Sequence, residues 1–290
     1  MGNFASGGVN YVSAPDGTSI AYWTTGSGPS VVLVHGTTSD HTTFRELGPH
    51  LAESRTVITF DRRGRGQSGD GDGSPYHVER EFEDVAALID HVAERQGAPA
   101  DVVSHSFGAF IALGAAQRAA GLHALVAYSP GFGAEYPPGA LERVEDASAS
   151  DDPDTALQVM FREIIGMPDD EIQAMRRSPV WRARMAIAGT VARECRADEA
   201  FLRTYGTSLT ELTAPVLVLS GATNTGPKRE IAAQLAGLLP NSASYEMPDQ
   251  GHVAHHFAPA ELTRICLRFF ADPNGAGGAG DRFTPWDNEA

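Results

Sequence analysis

The sequence predicts an α/β fold: helices flanking a mostly parallel sheet, with a helical cap inserted between the two halves. Three observations carry that prediction. Short apolar runs of strand length alternate with longer stretches of helical period, the order that helices packed around a parallel sheet require. Several of the short runs are apolar at consecutive positions, as strands buried on both faces are. The alternation stops after Pro130, where residues 141–210 are charged, Met-rich and helical, with no convincing strand. At 290 residues the chain is long enough for one large α/β domain carrying such an insertion.

The elements follow in order. "SIAYWTT" (19–25) alternates like a half-buried strand and follows the turn "APDG". "VVLVHG" (31–36) is a buried strand running into a glycine turn, and "TVITF" (56–60) is a second one ending at the glycine-rich "DRRGRGQSGD". Residues 42–53 between them read as a helix. In "VEREFEDVAALIDHVAERQG" (78–97), Val78, Phe82, Val85, Leu88, Ile89 and Val92 fall on one helical face, and Gly97 stops the helix. "DVVS" (101–104) enters a tight turn and an apolar helix, 107–120, and "LHALVAYSP" (122–130) is another buried strand. After the cap the alternation resumes with "APVLVLSG" (214–221), a helix over 228–239, "ASYEM" (243–247) and a last helix from Pro259 to Ala271. The implied division is core 9–130, cap 131–212, core 213–271, and a flexible Gly-rich tail 272–290 in which Phe283 and Trp286 are the residues able to fold back.

Composition narrows the function. Hydrophobic content of 42% and charged content of 20% are ordinary for a soluble enzyme. A formal net charge of −15 argues against nucleic acid and anionic membrane as partners, since both need clustered Lys and Arg. Cys195 and Cys266 are the only cysteines, so no disulfide framework and no metal-ligand spacing is present. The first residues, "MGNFAS", fit a myristoylation pattern short enough to arise by chance, and no secretory signal or membrane span is read; the expected location is the cytoplasm. No phosphate loop or dinucleotide fingerprint occurs, so no cofactor is expected.

The chemistry concentrates at "VVSHSFGAF" (102–110). A serine between a buried strand and a helix, with a small residue two positions either side, has the grammar of a nucleophile held on a strained turn. Ser104 stands where glycine is usual and Gly108 holds the second small position; an ordinary serine N-cap would read the same way. The acid–base partner is His252 in "PDQGHVAHH", after the last core strand, although His255 and His256 beside it leave a surface role open. His35 braces its loop, and His105, next to Ser106, points away from it.

Taken together, "VVLVHGTTSDHTTF", "FDRRGRGQSG", "SHSFGA" and "PDQGH", in that order and spacing, resemble the α/β-hydrolase superfamily from about residue 18 to 271. The resemblance implies a mostly parallel eight-stranded sheet, Ser106 as nucleophile, His252 as general base, and an oxyanion hole from the backbone N–H groups of Thr37 and Phe107. It also implies structural roles for Asp61 and the "RRGRG" arginines.

The third triad member is where the chain departs from the pattern. The usual acid position after "VLVLSG" holds Asn224, and the alternative position after "LVAY" holds Ser129. Glu135, at the cap entrance, is the candidate acid; Asp249 is too near His252 in its own loop. The leading expectation is a serine hydrolase for an ester, lactone or thioester. In its missing acid the chain also resembles the atypical branch containing the macrocyclic-peptide epimerase of bottromycin biosynthesis. That implies the alternative, a non-hydrolytic isomerase or epimerase, cyclase or lyase tailoring a peptide or polyketide natural product. A ligand-binding protein on the same fold is the non-catalytic reading. Met160, Phe161 and Trp181 of the cap are expected to border a pocket for a bulky, partly apolar small-molecule or peptide substrate.

Overall fold

The computed structural model describes residues 8–131, 133, 135–224, 227–275 and 281–285. The "MGNFAS" segment and Trp286 lie outside them. The strands are β1 (Asn10–Ser13), β2 (Ser19–Gly26), β3 (Ser30–Val34), β4 (Thr56–Phe60), β5 (Ala100–His105), β6 (Leu122–Tyr128), β7 (Val216–Gly221), β8 (Ser242–Met247) and β9 (Asp281–Arg282). They form one sheet in the order β1-β2-β4-β3-β5-β6-β7-β8-β9. β1 and β2 pair antiparallel, β2 meets β4 antiparallel, and every later pairing is parallel. The predicted eight strands are therefore extended by a short ninth.

Around the sheet lie α1 (Leu47–Ala52), α2 (Val78–Gln96), α3 (Phe107–Ala116), the cap helices α4 (Ala140–Ala149), α5 (Pro153–Val159), α6 (Asp169–Arg176), α7 (Pro179–Ala186) and α8 (Val191–Leu209), then α9 (Pro227–Leu238), α10 (Ala254–Phe257) and α11 (Pro259–Ala271). Alternate residues of the central strands feed two cores. Val32, Val34, Val102 and Val218 face α2, α3 and α9, while Val31, Leu33, Val103 and Leu217 face α1 and α11. The predicted stripe of α2 is buried throughout, and Gly97 ends the helix in the left-handed region at φ 71° with its N–H on Ala93 O at 2.8 Å. The cap builds its own core from residues such as Leu157, Phe161, Trp181 and Val191.

Three departures from the sequence reading have local causes. The helix expected over 42–53 is a 3-10 turn at His41–Phe44 followed by α1, because Pro49 cannot donate a helical hydrogen bond and is tolerated only in a first turn. β1 escaped notice because, at the sheet edge, most of its residues are exposed and carry no apolar alternation. In the tail, Asp281 and Arg282 pair with Ala243 and Ser244, Phe283 N–H donates to Ser244 O at 2.7 Å, and the Phe283 ring packs edge-on against Tyr245 and Phe269. Burying one phenylalanine contributes about 1.5–3 kcal/mol, and the β8 pairing adds its hydrogen bonds; neither is visible in a Gly-rich composition that reads as flexible linker.

Candidate active site

Ser106 sits between the end of β5 and the start of α3 with φ 57° and ψ −133°, a conformation that costs a non-glycine residue about 1–3 kcal/mol. The surroundings hold it there. Its N–H donates to Tyr128 O at 3.1 Å, and its carbonyl accepts from Ala109 N–H at 2.9 Å. A Cβ on Gly108 would lie 2.4 Å from His35 O, and one on Gly36 would lie 2.8 Å from the Ser106 Cβ, so both glycines are required by close approach. At position 104 the constraint is different. Ser104 is fully buried and its hydroxyl donates to Val126 O at 2.9 Å, so a serine replaces the usual glycine without a clash or an unpaired donor. Gly108→Ala must push α3 off β3 and should cost about 1–3 kcal/mol or more, seen as a lower denaturation midpoint; Ser104→Gly should cost less.

His252 lies in the loop between β8 and α10, and β6 with its neighbour holds that loop. The Tyr128 hydroxyl donates to Gly251 O and accepts from Ala254 N–H at 2.9 Å, while His105 Nε2–H donates to His252 O at 2.8 Å. Burial pushes the Tyr128 phenol well above its ordinary value, so it remains a donor at any working pH. Tyr128→Phe strands a carbonyl and an N–H; stability should fall by about 1–3 kcal/mol, and amide exchange at Ala254 should quicken.

The two positions where a carboxylate is usual meet behind His252. Ser129 Oγ lies 2.7 Å from His252 Nδ1, and Asn224 Nδ2 donates to Ser129 Oγ at 3.3 Å. Both side chains are buried, and Ser129 is itself held at φ 44°. Glu135 is exposed and the group on His252 Nδ1 is the Ser129 hydroxyl, so the expectation that Glu135 partners the histidine is corrected.

Ser106, His252, Thr37 and Phe107 line one cavity of about 40 Å³, roofed by Met160, Ile164 and Ile165 of the cap and flanked by Tyr136, Cys195 and Asp198. Of the cap residues expected there, Met160 is present. Phe161 and Trp181 turn instead into the cap core, their rings 6.0 Å apart and the Trp181 indole N–H on Asp154 at 2.8 Å. Met160–Ile164 form a π-helical turn, a break in the α-helical period that re-aims this stretch. Burial, with Asp198 adding to it, pushes the Cys195 thiol far up, so it is not a thiolate nucleophile.

Asp198 was not foreseen. It is buried in the cavity wall, accepts from the Tyr136 hydroxyl at 2.7 Å, and crowds Gly131 so closely that a Cβ there would collide with it. The readable signal was an acid on the apolar face of α8, in helical register with Val191, Cys195 and Phe201.

The polar loop after β4 serves the frame. Asp61 accepts from His41 Nδ1 at 2.7 Å and from Gln67 N–H at 2.9 Å. Arg62 forks onto Glu81 at 2.6 and 3.0 Å and reaches Glu194 of the cap at 2.8 Å. Arg65 pairs with the same Glu194 and donates to Ser39 O at 3.0 Å, tying α8 to the turn that carries Thr37. Burial raises Glu81, but Arg62 and Arg65 outweigh it and leave its carboxyl below the ordinary range. His35 is kept neutral by burial and accepts from Arg62 N–H at 3.3 Å, the bracing role expected of it. His105, His252, His255 and His256 cluster ring against ring, yet among the described residues no group is arranged to hold a metal ion. Nor, among them, is any helix long and apolar enough to cross a membrane.

Comparison with known proteins identifies the family. Over 265 residues the chain is 30% identical to a pimeloyl-[acyl-carrier protein] methyl ester esterase of Methylococcus capsulatus, covering 86% of this chain and 97% of that protein. A shorter match, 38% identical over 98 residues, is to the hydrolase YraK of Bacillus subtilis. The matches span 35% of YraK and 17% of EphD of Mycobacterium bovis, which is named as an oxidoreductase. Among solved structures, an alpha/beta hydrolase from Sphaerobacter thermophilus superposes with a TM-score of 0.78 at 32% identity, over 90% of this chain and all of that one. An enol-lactonase from Burkholderia xenovorans shares the fold at a TM-score of 0.70 and 20% identity, over 91% of this chain and 100% of that one. A family model described as the alpha/beta hydrolase family matches residues 31–265, from the strand before the Thr37 turn to the helix after His252, and the chain belongs to that family.

Proposed function

We propose that the protein hydrolyses a carboxylic ester, lactone or thioester through Ser106 and His252, with a neutral hydroxyl where a triad acid normally stands. The observation that carries this reading is the shared cavity: a strained serine and a histidine whose Nδ1 is already held by Ser129. Ser106 Oγ attacks the carbonyl carbon as its proton passes to His252 Nε2. The oxygen that gains charge is met by the backbone N–H groups of Thr37 and Phe107. Collapse expels the alcohol or thiol, which takes the proton from His252, and a water then releases the acyl group by the same steps.

Ser129 decides how fast this runs. Asn224 occupies one lone pair of its oxygen, leaving one lone pair and one hydrogen to face Nδ1. The hydroxyl can therefore accept from Nδ1–H, which leaves Nε2 ready to act as base, or donate to Nδ1, which does not. A carboxylate enforces the first tautomer and stabilises the imidazolium; losing it costs about 10⁴ in turnover in a serine triad. The expected enzyme is slow on simple esters. The cavity's 40 Å³ has room for a few water molecules, so a bulky, partly apolar substrate enters only when the roof of Met160, Ile164 and Ile165 moves.

A second reading has one observation in its favour, the buried Asp198 carboxylate in the same cavity. In it no acyl-enzyme forms, and His252 or a carboxylate moves a proton at carbon next to a carbonyl, as an isomerase, epimerase, cyclase or lyase acting on a peptide or polyketide would do. Following p-nitrophenyl acetate and butyrate release by wild-type protein tests the first reading. Turnover dependent on both Ser106 and His252 supports it. Absence of ester cleavage, together with solvent deuterium exchange into a carbonyl substrate that persists in Ser106→Ala, would establish the second.

A further inference from the structure

We infer that Arg184 forms a subsite for an anionic group, so that the substrate is an ester, lactone or thioester bearing a second, negatively charged end. This rests on the hydrolase reading. Arg184 projects from α7 of the cap to the turn beside the oxyanion position, where its NH1 donates to Thr38 O at 3.0 Å and to the Thr38 hydroxyl. Its guanidinium also lies 5.2 Å from the Phe161 ring centroid. Those contacts use one nitrogen and one face.

The other edge is unmatched. Among the described residues Arg184 makes no ion pair within 4.0 Å, and its buried Nε donates to nothing. Arg65, and Arg193 of α8, also have a buried Nε without a partner, but their guanidinium groups meet carboxylates, Glu194 and Asp70, as that of Arg62 meets Glu81; what sets Arg184 apart is the missing counter-charge. Nε and NH2 form the flat edge of the fork that a carboxylate meets with two parallel hydrogen bonds. Burial draws the Arg184 pKa down to about 10, with only Asp40 opposing, as expected of a cation short of a counter-charge. Asp40 itself is engaged, accepting from Thr42 N–H at 2.8 Å and from the Thr42 hydroxyl at 2.6 Å.

A cleft lies beside Arg184. Its volume is about 140 Å³ and it is lined by the 38–45 loop and α7, with Arg45, His256 and Arg184 on its walls, Val180 and Ala183 exposed beside them, and Asp40, whose carboxylate is turned onto Thr42, as the acid that borders it. Thr38 borders this cleft and Thr37 borders the catalytic cavity, so a group held on Arg184 lies one residue along from the oxyanion N–H. In a chain of net charge −15 the general field repels anions, so anion binding here reports a built local site.

The test is calorimetric titration of the Ser106→Ala protein with dicarboxylates from succinate to adipate, with butyrate, and with inorganic phosphate. At least one dicarboxylate or phosphate should bind more tightly than butyrate. Arg184→Gln should weaken that binding about tenfold or more. Ala183→Glu, at an exposed rim position, should do the same by supplying an internal carboxylate, and it guards against misfolding of Arg184→Gln. The better of the two anion types identifies the substrate's charged end as carboxylate or phosphate. Equal binding by all three proteins, or no anion binding above butyrate, overturns the subsite. Cleavage of the uncharged methyl butyrate by wild-type protein reports on the hydrolase reading separately. If that cleavage occurs, the KM for a monomethyl dicarboxylate should rise in Arg184→Gln while kcat changes less than about twofold.

Discussion

Ser106→Ala should lower ester turnover by at least about 10³-fold, with the fold and thermal midpoint preserved. The arithmetic follows from the role: the acyl-enzyme bond forms at that oxygen, and what remains without it is binding plus the backbone N–H groups of Thr37 and Phe107. Removing Oγ should be nearly neutral for stability, because the hydroxyl caps nothing in α3 and the strained backbone at φ 57° is fixed by the Tyr128 and Ala109 hydrogen bonds. Steady-state kinetics on p-nitrophenyl butyrate, paired with thermal denaturation, separates loss of chemistry from loss of fold. Turnover within tenfold of wild type would remove Ser106 from the mechanism.

Asn224→Asp should act in the opposite direction and speed ester hydrolysis by tenfold or more, toward the ~10⁴ that a triad carboxylate is worth. The substitution is isosteric, and the new oxygen would accept from the Ser129 hydroxyl, whose own oxygen then accepts from His252 Nδ1–H. That arrangement selects the tautomer with Nε2 free and places a negative charge one hydroxyl away from the imidazolium. It also places a charge in a buried site, so a fall in stability of a few kcal/mol is expected alongside the gain. The measurement is kcat for both proteins on the same ester. A rate that is unchanged or lower would show that Ser129 and Asn224 are tuned for chemistry other than acyl transfer.

Most of the fold was legible because period and punctuation coincide. The stripe of α2 ends at a glycine, and the strand "VVLV" runs into the Gly36 turn, so each local choice agrees with its neighbours. What escaped was weakly patterned: β1 at an exposed edge, and β9, where two residues and Phe283 attach a Gly-rich segment to the sheet. At the site, Ser106 and His252 were picked out by their places after a strand, Met160 as a cap residue, and Thr37 and Phe107 through the family resemblance; all five line one cavity. The partner of His252 was not. A search for a carboxylate led to Glu135, whereas the contact is made by Ser129, which seemed merely to vacate an acid position. Only a three-dimensional register that brings the ends of β6 and β7 together shows Asn224 and Ser129 as one unit. Phe161 and Trp181 misled for a related reason: large apolar residues on cap helices fill the cap before they line a pocket.

A covalent probe tests the central claim most directly. After incubation with a fluorophosphonate, intact-mass measurement and peptide mapping should find one adduct, on Ser106, absent from Ser106→Ala and formed much more slowly in His252→Ala. It should form faster in Asn224→Asp than in wild type. No adduct on folded wild-type protein, or labelling at Ser106 whose rate is indifferent to His252, would contradict an activated serine–histidine pair in that cavity.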